Sequence, residues 1–538
     1  MLKRYLIILI ILATAGVQTL EIAGETSSYH TALYDDGYYY LQVGRNIADG
    51  KGPTFDGENF TNGYHPLWMS LVILSYKIIP NNPIAPIVLL KILAVLAFLG
   101  TLLILWKILR MITPNLWLAG ALTFFYAANP WNVLTPTDGL ETSLAVFIFS
   151  ILFFVFLKIL EKPEEKRLYL ILGVLAGIMI LGRADYILFG AAAFLYLAFT
   201  QKNSRIAKIF LLGVPAAIIV LPWLAYSYLN FGTPVQESGL AYTIINRNLF
   251  LQNPRTGLDM VLWSGYELFK NALKILTYIG IPIPETNLQP KTVIWETLIV
   301  ASLLIFLFKK FIVRKNKEAF KAAFRKDVIG KALMVMFAAF VIFTIMQAGI
   351  RWSARPWYFM MAPFLFAVAL AVLLEKVFKI GTSAVRTKKT LLTVGVLFLL
   401  LNWYIYGSKL GLGITGYTRR EPPTQYLVAA WMNENLPENA RIASFNSGEI
   451  GYYTNWFVMN ADGLVNHGVY EVMRDKKRLW DFFRTQRIEY IVDTEVTVAE
   501  RYKWLLGIPD PLSHLEVIKS FTTSYQSRLL NVYKIIAF

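Results

Sequence analysis

Long apolar runs dominate this sequence and constrain its fold more than any other feature. The chain has 538 residues, of which 56% are hydrophobic, and its mean hydropathy is +0.49. Many runs reach the roughly 20 residues that an α-helix needs to cross a bilayer. The sequence therefore predicts an α-helical polytopic membrane protein. Because the chain has no cysteine, disulfides and thiolate metal sites are excluded.

Basic residues orient the predicted spans. Lys3 and Arg4 precede the first apolar run, so we expect an uncleaved first span with its N-terminus in the cytoplasm. The run 67–79 is short and precedes Pro-Asn-Asn-Pro, which favours an interfacial or re-entrant helix. With that run taken as interfacial, we predict about 11 transmembrane helices in all, near residues 1–22, 84–108, 115–130, 142–160, 167–182, 186–200, 206–229, 292–308, 330–347, 358–376 and 390–408.

This topology places the clusters of lysine and arginine on the cytoplasmic side, including the basic loop 309–331. The net charge of +17 is therefore interpreted as a topology signal. Nucleic acid is not expected as a partner, because the basic residues fall in short clusters between apolar runs rather than along one amphipathic face.

The apolar runs stop near residue 410. We therefore predict a transmembrane domain at 1–409 and an extracytoplasmic soluble α/β domain at 410–538. The patterns in the second domain predict strands at 440–445, 456–463 and 487–493, amphipathic helices at 424–437 and 469–486, and a closing hairpin of 515–521 with 529–538.

Charged and polar residues gather in the segments that this topology places outside the membrane. External loop 1 (23–83) and the long external loop 231–291 flank shorter turns that carry acids and arginines. The candidate site residues are Asp35, Asp36, Tyr39, Arg45, His65, Asp138, Glu141, Arg183, Asp185, Arg351 and Arg355. Such a set suits group transfer from a phosphorylated lipid, in which a carboxylate deprotonates the acceptor and guanidinium groups hold the phosphate.

Each of these residues also has a structural interpretation. Two adjacent acids can cap a helix, and an acid can favour the first turn of the helix that follows it. The pair in the Gly-Arg-Ala-Asp-Tyr turn can be an ion pair that orients the turn, and external arginines can bind lipid headgroups. A lone histidine is more often a packing residue than a metal ligand.

External loop 1 carries a recognisable pattern. The segment DDGYYYLQVGRNIADGKGPTFDG followed by NGYHPLW resembles the acidic first loop of GT-C glycosyltransferases, which use polyprenyl-phosphate sugars. The resemblance continues through DGLET, GRADY, FGTPVQES and RWSARPWYF. It implies a GT-C-like membrane domain with Asp36 as catalytic base and Asp35 positioning or tuning it. Arg351 or Arg355 would hold the donor phosphate, and Asp138 and Glu141 would hold the acceptor or sugar hydroxyls.

The resemblance also implies a reaction and a location. We expect inverting transfer of a hexose or pentose to a hydroxyl group of a glycolipid, polysaccharide or protein, at the cytoplasmic membrane of a bacterium or archaeon. Some GT-C relatives bind a divalent cation. Binding of Mg²⁺ or Mn²⁺ is therefore an alternative role for Asp36, Asp138 and Glu141. A flippase or transporter of lipid-linked sugars, and a noncatalytic glycan-binding membrane protein, are the alternative functions.

Overall fold

The structure is a computed structural model that describes residues 2–26, 33–80, 82–201, 203–251, 258–280, 327–349, 355–380, 396–397, 399–401, 403–404, 424–523 and 529–538. The span predicted at 292–308, most of the span at 390–408, the domain boundary near 409 and the candidate Arg351 lie outside the described residues.

The N-terminal part is built of α-helices. They are α1 (Leu2–Thr26), α2 (Asp35–Ala48), α3 (Pro66–Ile78), α4 (Ala85–Ile112), α5 (Leu116–Ala127), α6 (Pro130–Leu134), α7 (Thr142–Glu161), α8 (Lys166–Gly182), α9 (Ile187–Thr200), α10 (Arg205–Phe231), α11 (Glu237–Leu251), α12 (Leu258–Tyr278), α13 (Val328–Gly349), α14 (Pro356–Phe359) and α15 (Met361–Ile380). The mostly helical membrane fold predicted from the sequence is confirmed.

Length and composition identify the helices that can span a membrane. Within the described residues there are six, at Tyr5–Ala23, Ala85–Ile112, Thr142–Glu161, Arg205–Phe231, Val328–Ala348 and Pro356–Glu375. Helix α10 has apolar side chains on its outer surface, such as Ile206, Phe210 and Leu229, and these side chains are exposed in the isolated chain. Because apolar surface of this extent is unfavourable in water, this face fits contact with lipid.

Helix α3 is shorter than a span. Its 13 residues reach about 20 Å at 1.5 Å per residue, against a hydrocarbon core of about 30 Å. One face of the helix is buried through Trp68, Met69 and Val72. The length fits the interfacial or re-entrant helix expected from the sequence.

The C-terminal part is a small α/β domain with a five-stranded sheet in the order β2-β1-β3-β5-β4. The strands β1 (Arg441–Ser444), β2 (Phe457–Asn460) and β3 (Tyr490–Thr494) are parallel, and β4 (Leu515–Thr522) and β5 (Leu529–Ile535) form the predicted antiparallel hairpin. The helices are α16 (Thr424–Asn435), α17 (Gly448–Tyr453), α18 (His467–Arg474), α19 (Leu479–Thr485) and α20 (Lys503–Leu506).

Two helical features of this domain differ from the expectation. The segment 469–486 contains two helices rather than one, because the chain turns at Lys476, whose φ of +54° is incompatible with a continuous right-handed helix. The six-residue helix α17 was not predicted, since its sequence is too short to show a helical period. This helix meets external loop 1 at the candidate site.

Candidate active site

The adjacent acids expected in a loop instead begin a helix. Tyr34 occupies the N-cap of α2, and Asp35 and Asp36 form its first turn. Negative side chains are favourable there because the unpaired N–H groups at a helix start carry partial positive charge. Successive residues of an α-helix lie about 100° apart around its axis, so the two carboxyl groups face different surroundings.

The carboxyl group of Asp36 has a raised pKa. Burial raises it most, the neighbouring Asp35 and the more distant Glu141 raise it further, and Arg355 lowers it, leaving a pKa of about 6. No described residue donates a hydrogen bond to this carboxyl group, which is only partly buried. It is therefore an acid whose pKa lies close to neutrality.

Asp35 already binds the C-terminal α/β domain. Its Oδ1 accepts a hydrogen bond from the backbone N of Glu449 at 3.0 Å, and the backbone of Gly448 and the hydroxyl group of Tyr39 also bind it. Burial nevertheless raises the pKa of Asp35. These contacts distinguish its structural role from that of Asp36.

Arg183 joins two turns between helices through a buried ion-pair cluster. Its Nη1 lies 2.7 Å from Oε1 of Glu141, and its Nε and Nη2 each lie 3.0 Å from an oxygen of Asp185. Only 2% of the Arg183 side chain is exposed, and its guanidinium group stacks over Tyr358 at 4.9 Å. Two carboxylates thus already neutralise this arginine, as in the structural ion pair considered above.

Residues of external loop 1 complete the surroundings of Glu141. The hydroxyl group of Tyr40 hydrogen-bonds to Glu141 and accepts from the backbone N of His65 at 3.2 Å. The Nε2 of His65 lies 3.8 Å from the same Glu141 oxygen, and its Nδ1 lies 3.4 Å from the amide of Gln236. Burial lowers the pKa of His65, so the ring is uncharged at neutral pH.

Asp138 lies beside a cation that the sequence analysis missed. It is 4% exposed, its Oδ1 accepts from the backbone N of Leu140 at 2.8 Å, and burial raises its pKa well above the usual value. Lys91 of α4, which is 2% exposed, acts on it electrostatically. A single lysine in an otherwise apolar run was a signal that could have identified this residue.

Asp462 is a second residue that was missed, and it comes from the C-terminal α/β domain. It follows β2, and its Oδ1 accepts from the backbone N of Leu464 at 3.1 Å. Burial, with smaller contributions from Asp35 and Asp36, raises its pKa to about 8. Its position after a parallel strand was the available signal, since ligands favour the carboxyl ends of such strands.

The candidate arginines separate into different places. Arg355 is exposed at the N-cap of α14, acts electrostatically on Asp36, and lies 5.5 Å from the ring of Trp357. Arg45, in the last turn of α2, instead donates to the backbone O of Tyr452 at 3.2 Å. The structure therefore brings Arg355 to the acidic residues and places Arg45 in the contact between the domains.

The acids do not form the divalent-cation site that the resemblance left open. Among the described residues, no group of three or more His, Asp or Glu side chains is arranged to hold a metal ion. Glu141 directs Oε1 to Arg183 and Asp138 directs Oδ1 to a backbone N–H. The positive charges that act on Asp138 are those of Arg183 and Lys91.

Comparison with known proteins gives matches to both parts of the chain. A family described as dolichyl-phosphate-mannose-protein mannosyltransferase matches residues 65–226, and a domain of unknown function (DUF8728) matches residues 417–533. No curated protein sequence is similar enough to match the chain.

Several solved structures resemble this chain over almost its whole length, including the following two. One is ArnT from Cupriavidus metallidurans bound to undecaprenyl phosphate, with a TM-score of 0.55, 12% identity, and coverage of 98% of this chain and 97% of that one. The other is the oligosaccharyltransferase AglB from Archaeoglobus fulgidus, in complex with an inhibitory peptide and a dolichol-phosphate. Its TM-score is 0.51 at 14% identity, with 98% of this chain and 74% of that one covered. At these identities the similarity establishes the fold.

Proposed function

The chain has the GT-C fold, and on this premise we propose that it is a membrane glycosyltransferase. It moves a sugar from a polyprenyl-phosphate donor to an acceptor hydroxyl group on the extracytoplasmic side. The single observation that carries the proposal is the partly buried carboxyl group of Asp36, which lies within electrostatic range of the exposed Arg355. The bound polyprenyl phosphates of ArnT and AglB support the class of donor.

Asp36 is the general base of this proposal. A base is most effective when its pKa lies near the working pH, and the pKa of Asp36 is about 6. Its ionised carboxylate accepts the proton of the acceptor hydroxyl group as that oxygen attacks the anomeric carbon. The bond from the anomeric carbon to the phosphate oxygen breaks, and the polyprenyl phosphate leaves with the bonding electron pair.

Arg355 neutralises the leaving phosphate. Its guanidinium group is exposed and within electrostatic range of Asp36, and a planar guanidinium can bind two phosphate oxygens. Arg183 has no such freedom, because Glu141 and Asp185 occupy it. We therefore assign Arg183 to holding Glu141 in place and Arg355 to the donor. Glu141, Asp138 and Lys91 form the wall on which the sugar or acceptor hydroxyl groups bind.

The attack from one side and departure from the other make the reaction a single inverting displacement. The acceptor is a hydroxyl group of a glycolipid, a polysaccharide or a protein. The candidate residues Asp36, Glu141, Arg183 and Arg355 lie at helix ends rather than midway along a span. This placement favours a transferase over a transporter of lipid-linked sugars.

Sugar transfer by purified protein in nanodiscs tests this proposal. The donors are a panel of radiolabelled polyprenyl-phosphate sugars, and membrane extract supplies the acceptor. Asp36→Asn is expected to reduce transfer by about 10²- to 10⁴-fold, the usual contribution of a general base. Asp49→Asn is the matched control, because Asp49 is exposed at the other end of α2. Undiminished transfer by a folded Asp36→Asn protein would remove Asp36 from the chemistry.

Absence of transfer from every donor would contradict the enzymatic proposal itself. Movement of lipid-linked sugar between leaflets by the same nanodisc-reconstituted or vesicle-reconstituted protein would then identify the transporter. Binding of glycan without either activity would identify the noncatalytic alternative.

A further inference from the structure

The soluble domain contacts the first turn of α2 through its own backbone. The backbone N of Glu449, in the first turn of α17, donates to Oδ1 of Asp35 at 3.0 Å. N–H groups in the first turn of a helix have no acceptor within that helix. Asp35 therefore supplies the acceptor that the Glu449 N–H would otherwise lack.

Gly448 allows the two backbones to approach this closely. A Cβ atom at position 448 would lie 2.2 Å from the backbone O of Asp35 and 2.7 Å from its Oδ1. The first of these is a backbone atom, so no side-chain rotation relieves the clash. Gly63 of external loop 1 makes a similar contact on the same interface, since a Cβ there would lie 1.9 Å from the backbone O of Leu464.

A hydrogen-bond network continues from Asp35 into the soluble domain. The hydroxyl group of Tyr39 binds Asp35 and accepts from the amide of Asn460, at the end of β2, at 3.4 Å. The same Asn460 amide nitrogen lies 3.0 Å from Oγ of Ser447, and the Asn460 Oδ1 accepts from the backbone N of Val465 at 3.1 Å. The loops that follow β1 and β2 are thereby fixed to the same turn of α2.

From these contacts we infer that the soluble domain positions the catalytic base: Gly448 and Glu449 hold Asp35, and Asp35 fixes the first turn of α2 so that Asp36 faces Glu141 and Arg355. The inference rests on the proposed function. Asp35 is then a positioning residue and does not itself accept the proton. Successive residues of an α-helix are rotated by about 100° around its axis. Adjacent acids can therefore contact two different sites, one on the soluble domain and one on the membrane domain.

Two substitutions at Asp35 separate positioning from catalysis. Asn retains an oxygen that can accept the Glu449 N–H but cannot act as a base, whereas Ala retains neither property. If Asp35 positions Asp36, Asp35→Asn keeps substantially more transfer activity than Asp35→Ala. Equal and complete loss in both variants would overturn the inference and make Asp35 a second base.

Gly448→Ala tests the contact from the soluble side. Alanine has a higher helix propensity than glycine, so the substitution does not weaken α17 itself. We expect kcat to fall about 100-fold, because a displacement of about 1 Å can cost that much, while the donor KM changes little. Gly63→Ala tests the neighbouring contact. The matched control is Gly239→Ala in α11, where a Cβ would meet nothing within 4 Å.

Hydrogen exchange of the Glu449 amide gives a readout that does not depend on activity. Its exchange is expected to accelerate in Asp35→Ala and Gly448→Ala, and to stay slow in Asp35→Asn and Gly239→Ala. Unchanged exchange in Gly448→Ala, with full activity, would overturn the inference while leaving the proposed function intact. A wild type without transferase activity would contradict the proposed function, and the exchange data would still decide whether Asp35 holds the soluble domain.

Discussion

Arg183 and Glu141 form a buried ion pair between two turns that lie 42 residues apart, with Nη1 2.7 Å from Oε1. Asp185 occupies the rest of the guanidinium group. Burial favours the neutral form of Arg183, but Asp185 and Glu141 outweigh burial and raise its pKa. Arg183 is thus charged at every working pH. Its guanidinium group supplies the counter-charge for the carboxylates of both Glu141 and Asp185.

Arg183→Ala is expected to destabilise the protein by about 3–5 kcal/mol, because removing one partner leaves buried carboxylates without a counter-charge. The thermal unfolding midpoint in nanodiscs measures the effect. Arg474→Ala is the control, since Arg474 is 46% exposed in its ion pair with Glu471 and such pairs contribute about 0–1 kcal/mol. Similar shifts for the two variants would show that the buried cluster is not a major source of stability.

The rate of sugar transfer is expected to rise with pH through about 6, as the carboxyl group of Asp36 ionises. Arg355 lowers this pKa, so Arg355→Ala should move the acid limb of the rate profile to higher pH, in addition to weakening donor binding. Arg474→Ala should leave the limb in place. A pH profile of kcat/KM for each variant provides the measurement. If the acid limb of the Arg355→Ala variant lay at the same pH as that of the wild type, Arg355 would have no electrostatic effect on Asp36.

Asp462→Asn tests the acid that the C-terminal α/β domain contributes. The pKa of Asp462 is raised to about 8, so the folded protein holds a proton there that the unfolded chain releases above pH ~4. Stability therefore falls as pH rises from about 4 to 8. Asparagine resembles the protonated acid, and the variant should be more stable than wild type at pH 8 by ~1 kcal/mol or more, since one pKa unit corresponds to about 1.4 kcal/mol.

Unfolding midpoints at pH 5 and pH 8 give the comparison for Asp462→Asn. The difference between variant and wild type should grow with pH. A constant difference would mean that Asp462 is ionised in the folded protein. Asp481→Asn, on the exposed surface of the same domain, is the control.

His467 and Glu237 connect the C-terminal α/β domain to helix α11. The Nδ1 of His467 contacts Oε1 of Glu237, whose side chain is fully buried. The hydrogen bond to Glu237 raises the pKa of His467, and burial raises the pKa of Glu237. Glu471 and Arg474 also act on both groups, with opposite signs.

Both shifts in this pair predict a contact that weakens as pH rises. The stabilisation by charged His467 is present below its unfolded pKa of about 6.5 and is lost as pH rises through its higher folded pKa. Ionisation of the buried Glu237 also lowers the stability as pH rises, because burial raises the pKa of Glu237 above its unfolded value. The unfolding midpoint should fall between pH 6 and pH 9, and His467→Gln should reduce that fall by the equivalent of about 1.5 kcal/mol, the contribution of a hydrogen bond to a charged group. An equal fall in wild type and variant would exclude the pair as its source.

Local sequence patterns predicted much of the fold correctly. The strands β1, β2 and β3 and the closing hairpin fall within the predicted segments or extend beyond them by one residue, because hydrophobic strands bounded by turns leave a local signature. The two helices α18 and α19 were merged, because their apolar period continues across the turn at Lys476. Where the period was too short, as in α17, no local pattern could reveal the helix.

The sequence by itself determined the membrane-spanning character of the chain and its list of candidate charged residues. A bilayer requires apolar helices whose backbone groups are paired within the helix, so composition and run length suffice to identify them. Only the tertiary structure decided the partners: Arg183 with Glu141, Lys91 near Asp138, and Asp35 with a backbone N–H that lies 414 residues away. Local periodicity records which face of a segment is buried, but contacts between distant segments depend on how those faces pack together.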